Sequence, residues 1–393
     1  MANNITLTGF TELLYQARDM VAAEPCGFVN SVMVNKDGVE RVSLGGTVQS
    51  FRTPVPTLNT SFTPAMTIPD GDDQTLTVDT MTIGQVANVK IPFKGEIVRQ
   101  LENTAGREAV VNDMFAQAFR KIRNTIEAHI GTVAKNGSSR ATGTAGTTPF
   151  ASNHNSVNAV RQILVDNGCP VEDGTVSLII DTLAGTNLRN LTNLYKVNEA
   201  GNSDLLRRGV LQDISGIMIK ESAGVAAHTK GTLGGSPTSA AAGFALGATD
   251  ITLTASVGTG TIVAGDVLSI ANDTANTYVV KNGVADASTA ATLTINQPGL
   301  RKATGASTRA LTLAANYTGN VAFHKNAIEL VMRAPSMPQG GDAASDRMTI
   351  YDEKSGLVFE VALYLGYGMN IIDITTFYQA KVWKPEFVAT LLG

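Results

Sequence analysis

The chain has 393 residues, 43% of them hydrophobic, with 30 basic against 34 acidic residues and a net charge of -4. That size admits two or three domains with a sizeable core, and the near-balanced charge excludes a global attraction to nucleic acid or to a membrane surface. Only Cys26 and Cys169 are present, which excludes a disulfide framework or a thiolate metal site; with no signal-peptide pattern and no 18-residue apolar run, synthesis as a soluble cytoplasmic chain is expected.

Thr8 to Ala23 reads as a short helix, an N-terminal arm, with Phe10, Leu13, Leu14, Ala17 and Val21 on one side and Pro25 as its stop. From Phe28 to Phe51 the pattern turns to strands, with turn points at Gly38 and Gly45-Gly46. Five of the 13 prolines follow, at Pro54, Pro56, Pro64, Pro69 and Pro92, around an acidic turn of Asp70, Gly71, Asp72 and Asp73. Proline lacks the N–H that an interior strand needs, so Gly46 to Phe93 reads as a long two-stranded β-hairpin projecting from the body. A hairpin of that kind is marginal alone in water and needs a surface to lie on, its own domain or another subunit.

Thr104 to Asn136 is the one long stretch that keeps helical periodicity. Val111, Phe115, Ala118, Phe119, Ile122, Ile126, Ile130 and Val133 form an apolar stripe, with Arg107, Glu108, Asp113, Arg120, Lys121, Arg123 and Glu127 among the polar positions. Gly137 to Thr148, rich in Gly, Thr and Ser, reads as a mobile surface loop. A helix is expected from Asn155, a buried strand over Val176 to Ile180, helix or turn over Leu183 to Tyr195, and another strand over Gly216 to Lys220. Between Ser222 and Gly319 only nine of 98 residues are charged, and alternating runs such as Asp250-Ile-Thr-Leu-Thr and Thr277-Tyr-Val-Val-Lys are separated by Gly/Asn/Asp turns. This reads as a small all-β domain inserted into a second α/β region that resumes at Asn320, and strands joined by turns carry the chain to its end.

Catalytic and metal chemistry finds little support. His129, His154, His228 and His324 are scattered, without carboxylate or cysteine at metal-ligand spacing, and read as surface histidines. There is no Gly-x-Ser-x-Gly elbow and no complete phosphate-binding loop, so no catalytic residue, cofactor or metal is assigned. The charge pattern leaves one positive inference: Asp70, Asp72, Asp73 and Asp79 collect near the hairpin tip, and Arg120, Lys121 and Arg123 on the long helix, so the tip of one subunit is expected to lie over the helix of a neighbour.

The order of arm, proline-spotted hairpin, long charged helix, α/β region, all-β insertion and return strands resembles the major capsid proteins of tailed bacteriophages. The segments that carry the likeness are Ala264-Gly-Asp-Val-Leu-Ser-Ile-Ala271, Thr277-Tyr-Val-Val280 with Leu293-Thr-Ile295, Asn320-Val-Ala-Phe-His-Lys-Asn-Ala-Ile-Glu-Leu330, and Ile371-Ile-Asp373 through Lys384-Pro-Glu386. Within that class it is most similar to the P22-type coat proteins, which carry an inserted β domain. The resemblance implies an α+β fold of the HK97-like capsid type. Residues 1–45 would be the arm and first strands, 46–93 the extended hairpin loop, and 94–150 the peripheral domain with a spine helix over 104–136. Residues 151–221 and 320–375 would form the axial domain, 222–319 the inserted domain, and 376–393 the return strand. One departure stands out: the long charged loop with which P22-type insertions bridge capsomers has as its counterpart Gly231 to Thr249, which holds no charge, so that role is not carried over.

Also implied is a non-enzymatic shell subunit of the virion, assembled in the host cytoplasm into pentamers and hexamers around double-stranded DNA. Its expected partners are itself, a scaffolding protein, a portal protein and a decoration protein, with weak and non-specific DNA contact and no membrane. The alternative reading is a surface-exposed adhesin-like protein that binds through the Thr/Gly/Ala-rich β domain.

Overall fold

The computed structural model describes residues 24–35, 41–53, 76–95, 107–196, 213–254, 259–351 and 357–393, with isolated positions between 56 and 71. The arm helix expected over Thr8–Ala23 lies outside them. The chain opens with strands β1 (Met33–Asn35), β2 (Thr47–Arg52), β3 (Thr77–Thr82) and β4 (Gln85–Lys94), followed by helix α1 (Arg107–Asn136). Next come β5 (Arg140–Thr142), α2 (Asn155–Asp166), β6 (Val176–Ile180), α3 (Thr182–Arg189), α4 (Thr192–Tyr195) and β7 (Met218–Glu221). The low-charge stretch supplies β8 (Ala227–His228), β9 (Thr238–Ser239), β10 (Asp250–Thr254), β11 (Val267–Ile270), β12 (Asp273–Asn282), β13 (Thr292–Ile295) and β14 (Leu311–Leu313). The rest is β15 (Tyr317–His324), β16 (Ile328–Arg333), β17 (Ala344–Tyr351), β18 (Val358–Gly366), β19 (Met369–Val382) and β20 (Val388–Leu392).

Helix α1 lies on one face of a six-stranded sheet ordered β1-β16-β19-β18-β17, with β4 on the other side of β19. Its stripe reads directly from the spacing: Phe115, Phe119, Ile122, Ile126 and Ile130 recur every three or four residues and are 0–2% exposed. They meet Ala87, Ile91, Phe359, Val361, Ile372, Ile374 and Tyr378 from the sheet, and Phe119 packs edge-on against Phe359 with ring centroids 5.3 Å apart. Burying each such side chain contributes about 1.5–3 kcal/mol.

One polar member of the helix departs from expectation. Glu127 is 1% exposed. Its carboxyl accepts hydrogen bonds from the backbone N–H of Phe28 and Val29 at 2.7 and 2.8 Å and from Ser222 Oγ at 2.6 Å, so it ties two distant segments to the helix. Gly224 allows this approach, since a Cβ there would stand 2.6 Å from Glu127 Cγ.

The second sheet runs β7-β6-β15-β20-β5-β12-β13-β10-β9, with β11 and β14 attached through β12 and with β8 on β15. Strand β6 is buried along its whole length, as its apolar run predicts. Strand β5 corrects the reading of Gly137–Thr148 as a mobile loop. It pairs in parallel with β20 and antiparallel with β12, and so joins the strands of the low-charge stretch to the body. Ser138, Ser139 and Arg140 are buried there. The two serine hydroxyls are satisfied by remote partners: Ser138 Oγ lies 2.7 Å from Thr390 Oγ1, and Ser139 Oγ donates to the Val388 carbonyl at 2.9 Å. Strands β10 to β14 also enclose an apolar cluster of their own, including Ile251, Leu268, Tyr278, Leu293 and Leu311.

Candidate assembly surface

The hairpin expected over Gly46–Phe93 divides into two parts. Strands β2 and β3 form a separate two-stranded ribbon, with Thr47 opposite Thr82 and Arg52 opposite Thr77, whereas β4 leaves it and pairs with β19 from Lys94–Met369 to Gln85–Tyr378. The returning strand is thus part of the body, because its alternation buries Ala87 and Ile91 against α1.

Alternation also gives the ribbon two distinct faces. On one, Val48 and Met81 sit opposite each other and join Ile83, Val331 and Trp383 in a small apolar cluster at the ribbon's root. Ser50 and Asp79 follow on that face, both half-buried. The other face carries Thr47, Thr82, Gln49, Thr80, Phe51 and Val78, all exposed. It ends in a cross-strand apolar pair, Phe51 at 70% and Val78 at 45% exposure. Leu58, Met66 and Leu76 beyond it are exposed as well. Among the described residues the ribbon has no third strand and nothing covers its apolar pair, and a two-stranded ribbon of this kind is marginal in water without a surface to lie on.

Of the charged residues singled out in the sequence, Asp70, Asp72 and Asp73 lie outside the described residues. Asp79 is on the ribbon face opposite Phe51 and Val78. Arg120 is engaged within the chain: its Nε donates to Glu24 Oε1 at 2.9 Å and the two form an ion pair, which Asn124 supports by donating to the other carboxyl oxygen. This contact raises the arginine's pKa further. Lys121 is exposed, and Arg123 is half-buried with its Nε lacking a hydrogen-bond partner. The three basic residues therefore do not form one open cationic patch. Glu24, 96 positions before its partner, carried no local signal of that role.

Two of the four histidines are buried rather than on the surface, and His129 and His154 are half-buried. His228 is 6% exposed, with Nε2 2.8 Å from Asp266 Oδ1 and Nδ1 3.2 Å from Lys135 Nζ. His324 is 7% exposed, with Nε2 2.6 Å from Thr175 Oγ1 and Nδ1 accepting from the Asn326 N–H. His129 is half-buried, edge-on to Tyr378, and burial lowers its pKa, as it does for His324. Burial likewise pushes the Cys26 and Cys169 thiols up to about 11, leaving them protonated and weakly nucleophilic near neutrality. Among the described residues no group of three or more His, Cys, Asp or Glu side chains is placed to hold a metal ion, and no helix is long and apolar enough to cross a membrane.

Two shallow clefts of about 380 and 210 Å³ share Gly143, Thr144 and Leu392 beside β5, and their linings carry no charge. A third, of about 360 Å³, lies on the sheet face away from α1, with Asp342, Arg347, Glu360 and Asp373 in its lining. Three of its charges are tied to one another, Arg347 donating to Glu360 at 2.5 Å and pairing with Asp342, which also accepts from Tyr364 OH at 2.8 Å, while Asp373 accepts from Asn88 and Thr375. Such mutual pairing braces a surface rather than presenting a reactive group.

Neither the family models nor the curated proteins contain a match to this chain. Solved structures do match. They include one titled Mycobacterium phage Che8, with 13% identity over 94% of this chain and 92% of that chain and a TM-score of 0.49. Another is the asymmetric unit of the bacteriophage PhiM1 mature capsid, with 12% identity over 93% and 86% and a TM-score of 0.46. The capsid structure of the cyanophage P-SCSP1u shares 12% identity over 94% of this chain and 88% of that chain, with a TM-score of 0.50. That last likeness, extending over nearly the whole of both chains, shows that this chain has the fold of a phage capsid subunit.

Proposed function

We propose that this protein is the major capsid protein of a tailed double-stranded DNA phage, a structural subunit of the HK97-like type rather than an enzyme. The observation that carries the reading is the β2–β3 ribbon, rooted in the body by Met81 and Ile83 and open at Phe51 and Val78. In this reading the ribbon lies across a neighbouring copy, α1 is the spine of the peripheral domain, and residues 222–319 form a P22-type inserted domain. Burying Phe51 and Val78 against a neighbour contributes about 2–3 kcal/mol per contact. Many such modest contacts, repeated around a heterologous ring, close pentamers and hexamers into a shell.

The acidic hairpin residues Asp70, Asp72, Asp73 and Asp79 are assigned to register against a neighbour's helix. Because Arg120 already pairs with Glu24, Lys121 and Arg123 are left to receive them. Opposite charges at such a rim select orientation more than they add affinity. Reversing Asp72 and Asp73 to Lys is expected to impair assembly, with partial rescue by Lys121→Glu in the same chain.

Negative-stain microscopy of the purified protein, concentrated with and without a co-expressed scaffolding protein, tests the reading. Closed shells, capsomer rings or polyheads are expected. Persistent monomers that bind a glycan would replace this reading with the adhesin one.

A further inference from the structure

The ribbon's direction is set by a side-chain assembly at its root. Lys381 lies near the end of β19 and Trp383 is the first residue beyond it, two positions on, so that the two side chains come together on one side of the chain. The Lys381 ammonium stands 4.4 Å from the centre of the Trp383 ring and donates a 2.6 Å hydrogen bond to the Thr80 carbonyl, in the middle of ribbon strand β3. Trp383 is held in turn: its Nε1 donates to Glu329 Oε2 at 2.6 Å, and Glu329 Oε1 accepts from Asn35 Nδ2 at 2.8 Å. Glu329 also sits directly opposite Lys381 across the β16–β19 pairing. Trp383 and Glu329 are 9% and 8% exposed, so this support is largely shielded from water. Beneath it, Met81 and Ile83 pack on Val331 and Trp383, and Ile83 exchanges backbone hydrogen bonds of 2.9 Å with Gly45 and Gly46.

The mechanical consequence follows from the ribbon's length. Six residues at about 3.3 Å each make a stem of roughly 20 Å. A rotation of about 10° at the root would carry its far end roughly 3.5 Å, a large part of the ~4.8 Å spacing between strands. A backbone root alone leaves that rotation soft, because a two-stranded ribbon has no third strand to brace it. The Lys381 bond, made to a point partway along the stem, removes the freedom at the place where it has leverage.

We propose that Lys381, stacked on Trp383, is an aiming latch that fixes the ribbon's direction in the free subunit and thereby the angle at which the next copy is met. This rests on the shell reading and adds to it a positioning residue. The test uses full-length Lys381→Met, which keeps the aliphatic stem and removes the donor and the charge, beside Lys381→Arg, which keeps both.

Hydrogen exchange of the unassembled subunit is expected to be at least tenfold faster at residues 77–82 in Lys381→Met, with the α1 amides unchanged. Electron microscopy is expected to show at least threefold fewer closed shells, replaced by open or irregularly curved assemblies. Lys381→Arg is expected to restore both readouts. Exchange at 77–82 equal to wild type would overturn the latch, and so would faster exchange with normal shell yield and curvature. Failure of the wild-type chain to form shells would sink the shell reading by itself, while the exchange measurement still decides the latch.

Discussion

The helix–sheet body and the ribbon obey the same alternation rules with opposite outcomes. In the body, each apolar residue of β4 that points inward finds α1, and the buried carboxylate of the helix, Glu127, has its oxygens bonded by Phe28, Val29 and Ser222. In the ribbon, the inward face finds the root cluster, but the outward face ends in Phe51 and Val78 with none of the described residues over them. The difference teaches where stability and association reside. On the proposed shell reading, the body is complete within one copy and the ribbon is completed by another.

Substitutions can break that division, starting with the body. Phe119→Ala removes a ring that is 2% exposed and packed on Phe359, and is expected to cost about 3–5 kcal/mol, read by denaturant unfolding of the unassembled subunit. Glu127→Ala leaves buried N–H and O–H donors without acceptors and is expected to cost about 2–4 kcal/mol in the same measurement.

A smaller effect comes from pH. Burial disfavours the charged forms of His129 and His324, so the unfolded chain takes up their protons first. Above about pH 6.5 both states are neutral at these sites and no penalty exists; as pH falls below that value stability declines, and it levels off beneath the folded-state pKa values. The melting temperature is expected to drop between pH 7 and 5, and His129→Asn with His324→Asn to flatten that slope. At the small end, Phe51→Ser with Val78→Ser is expected to shift unfolding by no more than about 0.5 kcal/mol, as for exposed positions generally, while abolishing closed shells in the microscope.

How much of this was legible depended on the sequence distance of each partner. The α1 stripe was readable because Phe115, Phe119, Ile122, Ile126 and Ile130 report their burial through their own spacing. The strand at Val176–Ile180 was equally plain as a short apolar run. Strand β5 was not, since Ser138 and Ser139 look like loop residues until Val388 and Thr390, about 250 positions away, supply their partners. His228 was misread for a similar reason, its partners Lys135 and Asp266 lying 93 and 38 residues off. The ribbon showed itself through its prolines, but β4 was wrongly joined to it because period-two alternation names a buried face and not the strand beside it. Among the candidate contact residues the charges were visible and their engagement was not. Arg120 belongs partly to Glu24, and the root residues Lys381 and Trp383 had no signal near the hairpin at all.

The most direct test is hydrogen exchange at residues 47–52 and 77–82, compared between the free subunit and purified particles. Strong new protection of the ribbon on assembly, with the α1 amides already protected in both states, is the expected result. Equal exchange of the ribbon in the two states would contradict the claim that this element is completed by a neighbouring copy.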